Sequence, residues 1–297
     1  MSLKTWLIAT RPWSLVMTFV STCLAGIMAY SSGSFSLYIF ILTMIGLIFA
    51  HMAANMTNDW YDVKHGVDAN APTSEYRPHP LLFGELDKKK YKLVILTIYL
   101  LGLFIGVYLT YIRGILVLIF SVLGVFFGVF YTADPVNLKH HSVGEISVFL
   151  AFGPLMVGGA YYAISGIFSW KPILASVPIG LLVSLVLFAN NLRDKEYDVK
   201  VGITTLATGT DESRGLKYYS TLLFSSFLIT ALLVVARVLS PFALISFLSI
   251  REAIKIIRDF HNKIPLTADI VTSQLTLHFG VLLTLGEFLN ILFRSFI

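Results

Sequence analysis

Two short acidic segments contain most of the side chains that could do chemistry. The first acidic segment covers residues 55–68 and the second covers residues 190–202. Both contain the sequence Asp-Val-Lys-x-Gly, which begins at Asp62 in the first and at Asp198 in the second. Each segment begins where a long apolar stretch ends. The repeat suggests two related halves within a single domain, residues 1–297.

The spacing of these residues favours a metal site. If the preceding helix continues into the first segment, Asn55, Asp59 and Asp62 are spaced i, i+4 and i+7 and share one face. Clustered acids at a membrane face need counter-ions, and oxygen ligands without cysteine favour Mg²⁺. We predict that two Mg²⁺ ions bind here. The predicted metal ligands are Asn58, Asp59, Asp62, Asn190, Asp194 and Asp198.

A bound Mg²⁺ ion usually keeps coordination positions for substrate phosphates. The remaining phosphate oxygens could be neutralised by Arg77, Lys139 and Arg193. The alternative is that both segments hold only solvated loop charges and helix caps. Two matched copies, each preceded by asparagine at the edge of an apolar stretch, favour the metal site over this alternative.

The composition identifies a membrane protein. The chain is 56% hydrophobic and 13% charged, and its mean hydropathy is +0.79, whereas soluble proteins are about 25% charged. This excludes disorder, a nucleic-acid-binding domain and an ordinary soluble enzyme. A single cysteine excludes a disulfide framework or a cysteine zinc site. The basic residues lie between apolar stretches, so they indicate membrane topology and not a nucleic-acid partner.

The apolar stretches predict an all-α polytopic membrane protein with nine transmembrane helices. Most of the 22 Lys and Arg residues fall in one set of alternating loops. The positive-inside rule then places the N-terminus and the active site in the cytosol and the C-terminus outside the cell membrane. The predicted spans are residues 13–31, 38–57, 91–112, 114–132, 145–165, 172–191, 216–236, 238–257 and 272–293.

Both acidic segments resemble the Asp-rich motifs of the UbiA superfamily of intramembrane aromatic prenyltransferases. Asn58 and Asp62 match the first two positions of that family's Asn-x3-Asp-x3-Asp motif. Gly66 replaces the third Asp and Asp68 follows it, a form similar to the menaquinone branch, the 1,4-dihydroxy-2-naphthoate prenyltransferases. The Asn-Asn-x-Arg-Asp sequence that begins at Asn190 resembles the same branch.

The resemblance implies Mg²⁺-dependent transfer of a polyprenyl chain from its diphosphate to an aromatic acceptor, in contact with membrane lipid. For the branch it resembles, the acceptor is 1,4-dihydroxy-2-naphthoate, which loses its carboxylate. The implied catalytic residues are Asp62, Asp68, Asp194 and Asp198. Those implied to bind the diphosphate are Lys64, Arg77, Tyr131, Lys139 and Arg193. Those near the acceptor are Asn55, Asn191, Glu145 and His51.

Several alternatives stay open at this point. Another acceptor, such as 4-hydroxybenzoate, a glycerol phosphate lipid or a haem, would keep the enzyme class. A membrane transporter would also contain intramembrane polar residues and a repeat, although both acidic segments on one membrane side argue against it. His51 could face the acceptor or form an interhelical hydrogen bond. Glu287, deep in the last span, is a functional candidate as an intramembrane acid, but its distance from the acidic segments favours a protonated or locally paired structural acid.

Overall fold

The computed structural model describes residues 2–66 and 78–294, apart from the side chains of His140 and Arg294. All the regular elements in these two stretches are helical, which confirms the predicted class. The α-helices are α1 (Leu3–Ala9), α2 (Val16–Ser31), α3 (Leu37–His65), α4 (Lys88–Arg113), α5 (Ile115–Phe130), α6 (Gly144–Leu150), α7 (Met156–Ser165), α8 (Trp170–Ala175), α9 (Val177–Lys200), α10 (Glu212–Val235), α11 (Ile250–Asn262) and α12 (Ala268–Arg294). Short 3₁₀ helices cover Pro12–Ser14, Leu138–His141 and Pro241–Ser249, and a π-helical turn covers Ala151–Leu155.

Seven segments of the described chain are long and apolar enough to cross a membrane. They are Pro12–Ser31, Leu37–His65, Lys88–Arg113, Gly144–Ser165, Trp170–Lys200, Glu212–Val235 and Ala268–Phe293. Helix α5 is apolar but has 16 residues, about 24 Å of helix, which is less than the ~30 Å of a bilayer core. The nine predicted crossings are therefore not confirmed.

The predicted span 238–257 differs most from the structure. Its first part is a nine-residue 3₁₀ helix, and its second part belongs to α11, which buries only Ala253, Ile256 and Phe260. Pro241 at the start of the 3₁₀ helix lacks a backbone N–H and cannot continue a preceding helix. The charged residues between the apolar positions of α11 give it a polar face.

Helices α3 and α9 determine where the acidic segments lie. Both run without a break beyond their apolar part, α3 to His65 and α9 to Lys200. Gly66 ends α3 in the left-handed conformation, φ 72°, which favours glycine. Both helices therefore continue into the acidic segments, which is the condition for Asn55, Asp59 and Asp62 to share one face of α3.

Packing fixes these two helices in the bundle. Helix α9 packs against α6, α10 and α12, and α3 packs against α2, α4 and α7. The main apolar core joins α2, α7, α9, α10 and α12, and a second cluster joins α1, α3 and α4. Glu287 on α12 accepts a hydrogen bond of 2.7 Å from the backbone N–H of Ser240, so it is locally paired.

Candidate active site

Asp62 is buried in the last turns of α3 and is bound by a lysine from another part of the chain. The ammonium group of Lys139 donates to both carboxylate oxygens of Asp62, at 3.0 and 2.8 Å. Lys139 lies on the 3₁₀ helix between α5 and α6, and its backbone N–H donates to the carbonyl of Tyr131. These contacts place Lys139 and Tyr131, two residues predicted to bind the diphosphate, beside the first acidic segment.

Arg11 holds the other polar residues of the first segment. Its guanidinium donates to Asn58 Oδ1 at 2.9 Å and to the carboxylate of Asp59, and His79 Nε2 lies 3.5 Å from Asp59 Oδ1. Arg11 has φ 53°, a conformation that is uncommon outside glycine and is often found at functional sites. Neither Arg11 nor His79 was among the predicted site residues. The sequence signals were Arg11-Pro12 directly before the first apolar stretch and the Arg-Pro-His-Pro sequence at residues 77–80, both of which resemble the UbiA superfamily.

Arg193 organises the second acidic segment. Its guanidinium donates to both oxygens of Asp194, at 2.8 and 2.7 Å, and to Asn190 Oδ1 at 2.5 Å. It also donates to Asp269 Oδ1 at 2.7 Å and to the carbonyl of Leu266 at 3.1 Å. The Arg193 side chain is only 2% exposed. In this structure it fixes Asp194 and ties α9 to the start of α12, and its predicted contact with a diphosphate stays a prediction.

The two acidic segments meet around Lys139. Asp198, the second buried acid of α9, interacts electrostatically with Asp194, Lys139 and Asp62. Tyr131 interacts with Asp62 and Asp198 in the same way. The helix ends that contain the repeated sequence are therefore within electrostatic range of each other, and the relation between the two halves stays a prediction.

The donor chemistry of this region fits Mg²⁺, because carboxylate and amide oxygens are the ligands that hard cations prefer. The carboxylate oxygens do not converge on one point in this structure. In residues 2–66 and 78–294, no group of three His, Cys, Asp or Glu side chains is arranged to hold a metal ion. Three of the acids are instead paired with Arg11, Lys139 or Arg193. These pairs compensate the buried negative charge.

Glu145 and Asn191, both predicted near the acceptor, are hydrogen-bonded to each other. The amide Nδ2 of Asn191 donates to Glu145 Oε1 at 2.9 Å, and both side chains are buried. Glu145 also interacts electrostatically with Tyr131. This pair therefore joins α6 to α9 next to the cluster of acids.

An apolar cavity of about 680 Å³ lies among α3, α4, α5 and the segment 147–163. Its polar end is formed by Arg11, Asn55, Asn58 and Tyr131, and its other end by Leu109, Val117 and Ala163. Along α3 it runs from Thr43 to Asn58, about 22 Å of helix. The cavity thus begins beside the acids, and its length along α3 is most of the ~30 Å thickness of a bilayer core.

His51 and Asn55 are on the wall of this cavity. His51 Nδ1 is 2.7 Å from Thr18 Oγ1, so this residue both forms an interhelical contact and faces the cavity. The amide of Asn55 donates to the carbonyl of Thr10 at 3.0 Å and to Ser14 Oγ at 2.9 Å. These bonds fix the orientation of both side chains at the polar end.

Lys64 is exposed and lies outside this cluster. It donates to Asp134 Oδ2 at 2.9 Å, and His65 Nε2 is 3.2 Å from the same oxygen. The hydrogen bond from Lys64, followed by that from His65, lowers the pKa of Asp134. The contact is therefore present at neutral pH and is lost as the pH falls through this lowered pKa. The contact with Asp134 ties the loop that contains Lys139 to the end of α3.

Asp68 and Arg77, the other predicted site residues, lie outside the described residues.

Buried acids and bases thus lie at one end of an apolar cavity, inside a bundle of helices long and apolar enough to span a membrane. The chain belongs to the UbiA prenyltransferase family, whose profile matches residues 19–286. It is therefore a prenyltransferase, and the resemblance seen in the two acidic segments is confirmed. A transporter, the alternative from another class, is set aside.

Individual relatives agree with this assignment. The chain is 27% identical, over 285 residues, to a 1,4-dihydroxy-2-naphthoate octaprenyltransferase of Bacillus subtilis; the match covers 93% of this chain and 90% of the relative. The fold resembles the apo structure of a UbiA homolog from Aeropyrum pernix, with a TM-score of 0.73, 18% identity and coverage of 92% of this chain and 98% of that one. For a UbiA homolog from Archaeoglobus fulgidus bound to GPP and Mg²⁺, the TM-score is 0.63, the identity 17% and the coverage 94% and 99%. The chain thus has the fold of its family.

Proposed function

We propose that this protein transfers a polyprenyl chain from its diphosphate to 1,4-dihydroxy-2-naphthoate, with loss of carbon dioxide. The observation that carries the proposal is the meeting of two acidic helix ends beside the polar end of a long apolar cavity. The choice of acceptor is supported by the form of both acidic segments and by the relative from Bacillus subtilis. The diphosphate then lies among the acids and bases, and the prenyl chain lies in the cavity.

The predicted ligands Asn58, Asp59, Asp62, Asn190, Asp194 and Asp198 would hold two Mg²⁺ ions, a proposal supported by the Mg²⁺ in the Archaeoglobus fulgidus homolog. When bound, Mg²⁺ supplies positive charge that stabilises the leaving pyrophosphate. Lys139 contributes a further positive charge at the same place, because it already lies between Asp62 and Tyr131. Its ammonium group can turn from the Asp62 carboxylate to a phosphate oxygen as the donor binds.

The reaction breaks the allylic C–O bond, and the bonding electrons leave with pyrophosphate. The ring carbon that bears the carboxylate then bonds to the allylic carbon while a ring hydroxyl loses its proton. Loss of carbon dioxide leaves its bonding electrons in the ring and restores aromaticity, and the ring oxygen takes back the proton to give the naphthoquinol. Asp68 and Glu145 are the candidates to accept the proton, and Glu145 is held in place by Asn191. The apolar wall of the cavity excludes water, which would trap the allylic cation as an alcohol.

The acceptor is tested by product analysis with the purified enzyme. With 1,4-dihydroxy-2-naphthoate we expect equal amounts of pyrophosphate, carbon dioxide and prenylated naphthoquinol, and little product with 4-hydroxybenzoate. Mass spectrometry of the products and trapping of carbon dioxide give these quantities. A main product from 4-hydroxybenzoate or a glycerol phosphate lipid, with the carboxylate or phosphate retained, would refute the naphthoate assignment but not the prenyltransferase class.

We also propose that the site faces the cytosol and that α5 and the segment 241–262 complete nine crossings, with the C-terminus outside. In a Cys23→Ser background, cysteines at the exposed positions Lys64 and Lys200 should react with a membrane-impermeant thiol reagent only from the cytosolic side. A cysteine at Ser32, at the opposite end of the bundle, should react only from outside. Reaction of the Lys64 and Lys200 variants from opposite sides would contradict both the topology and the shared site.

A further inference from the structure

The loop that contains Lys139, residues 131–143, is held against the end of α3 by two ion pairs of opposite orientation. In the inner pair, Lys139 of the loop donates to Asp62 of α3 at 2.8 Å. In the outer pair, Lys64 of α3 donates to Asp134 of the loop at 2.9 Å. Each side of the contact supplies one acid and one base. A shift of the loop along α3 would therefore bring like charges together.

The two pairs differ in burial. The side chains of the inner pair, Lys139 and Asp62, are 17% and 4% exposed, whereas those of the outer pair, Lys64 and Asp134, are 52% and 49% exposed. Asp134 has a second contact on α3, because His65 Nε2 lies 3.2 Å from the same carboxylate oxygen. When the Lys139 ammonium group turns to a phosphate oxygen, the inner pair opens. The outer pair lies at the surface and can stay closed during that step.

The backbone of the loop needs such a contact. Asn137 and Ser142, which lie on either side of Lys139, have φ values of 41° and 56°, a conformation that is uncommon outside glycine. Such residues persist where surrounding contacts hold them. The bond of 2.8 Å from the Lys139 N–H to the Tyr131 carbonyl lies within the loop, so it fixes the shape of the loop but not its place on α3. The outer pair fixes that place.

We propose that Asp134 is a positioning residue for the transfer reaction, which anchors the loop to Lys64 and so keeps the Lys139 ammonium group within reach of the donor diphosphate. This inference rests on the proposed function. It gives Lys64 a different role from the one that the resemblance implies: Lys64 binds Asp134 and not the diphosphate. Lys139, the more buried of the two lysines, is then the one that reaches the phosphate oxygens.

Reversal of the charge at Asp134 distinguishes this role from a general effect of charge. In Asp134→Lys, the new ammonium group repels Lys64 and displaces the loop, so the KM for a polyprenyl diphosphate should rise about three- to tenfold. If charge at this position acts on the diphosphate only through space, the added positive charge should lower this KM instead. Steady-state pyrophosphate release by the full chain in detergent gives the KM.

The exchanged pair, Asp134→Lys with Lys64→Asp, restores an ion pair in the opposite orientation. Its KM for the donor should return to within about twofold of that of the unaltered enzyme. If Lys64 itself binds the diphosphate, the exchange should raise the KM further. An unchanged or lowered KM for Asp134→Lys, or an exchange that gives no rescue, would overturn the proposal.

A double-mutant cycle tests whether Asp134 acts through Lys139. In a Lys139→Gln background, where the amide can still donate to Asp62, Asp134→Lys should cause no further rise in KM. Equal effects in both backgrounds would contradict the positioning role. Glu212→Lys is the matched control, because Glu212 is exposed in the first turn of α10 and the change of charge is the same. Its KM should stay within about twofold.

Two further outcomes separate the possible failures. Thermal unfolding shows whether Asp134→Lys folds; if it does not, Asp134→Asn, which removes the charge without reversing it, should raise the KM in the same direction by a smaller factor. An unchanged KM for a folded Asp134→Asn would then refute the anchor. If the unaltered enzyme releases no pyrophosphate from a polyprenyl diphosphate, the proposed function itself fails. If it does so and the variants match it, only this inference fails.

Discussion

Replacing Asp62 or Asp198 by asparagine should lower the rate of pyrophosphate release at least about 100-fold, the scale seen when one preorganised group is removed from a developing charge. The substitution keeps the side-chain shape but removes one negative charge from the site proposed to hold Mg²⁺. Lys139 could then still bind the side-chain oxygen at position 62, so the folded structure should survive. Pyrophosphate release in detergent and the thermal unfolding temperature measure the two effects.

A matched control for these substitutions is Asp211→Asn. Asp211 is exposed and begins α10, where its side chain accepts a hydrogen bond of 2.8 Å from the backbone N–H of Arg214. Asparagine caps a helix about as well as aspartate, so this variant should keep both stability and activity.

EDTA should abolish turnover of the unaltered enzyme and Mg²⁺ should restore it. Full activity of Asp62→Asn, or of the unaltered enzyme in EDTA, would contradict the role given to these acids.

The fold class and the positions of the acidic segments could be predicted from sequence because both depend on local pattern. An apolar stretch of about 20 residues indicates a spanning helix, and the predicted spans 91–112 and 114–132 correspond to α4 and α5, which only Gly114 separates. Hydropathy predicted one helix over residues 238–257, where the structure has two segments, because a sliding window averages the apolar 3₁₀ helix with the polar α11. The backbone is a 3₁₀ helix from Pro241 to Ser249 and an α-helix from Ile250. A hydropathy average does not measure this change of backbone geometry.

The acids of the site could be predicted, but most of their partners could not. Helical spacing relates residues within α3 or within α9, whereas Arg11, His79 and Asp269 reach the acids only through tertiary packing. No local pattern marks Asp269 as a partner of α9. The same limit applies to the cavity, because its wall is formed by residues from α3, α4, α5 and the segment 147–163.

Arg193→Met should destabilise the protein strongly as well as inactivate it. Removal of the guanidinium leaves Asp194 and Asp269 without the bonds of 2.7 Å that they share with it. Breaking a buried ion pair in this way costs about 3–5 kcal/mol. Arg214→Met is the matched control, because Arg214 pairs with Asp211 at 3.0 Å on the surface, with 72% and 55% of the two side chains exposed, and such pairs contribute little. Thermal unfolding in detergent compares the two variants.

The same variant separates the two roles that Arg193 could have. If Arg193 positions Asp194, as its contacts indicate, Arg193→Met should lower the unfolding temperature well below that of Arg214→Met. Adding Asp269→Asn should then recover part of that loss, because it removes the negative charge of a carboxylate that has lost its bond to Arg193. If Arg193 acts mainly as a diphosphate ligand, the KM for the donor should rise while the unfolding temperature matches that of Arg214→Met. That second result would contradict the positioning role and support the contact predicted from sequence.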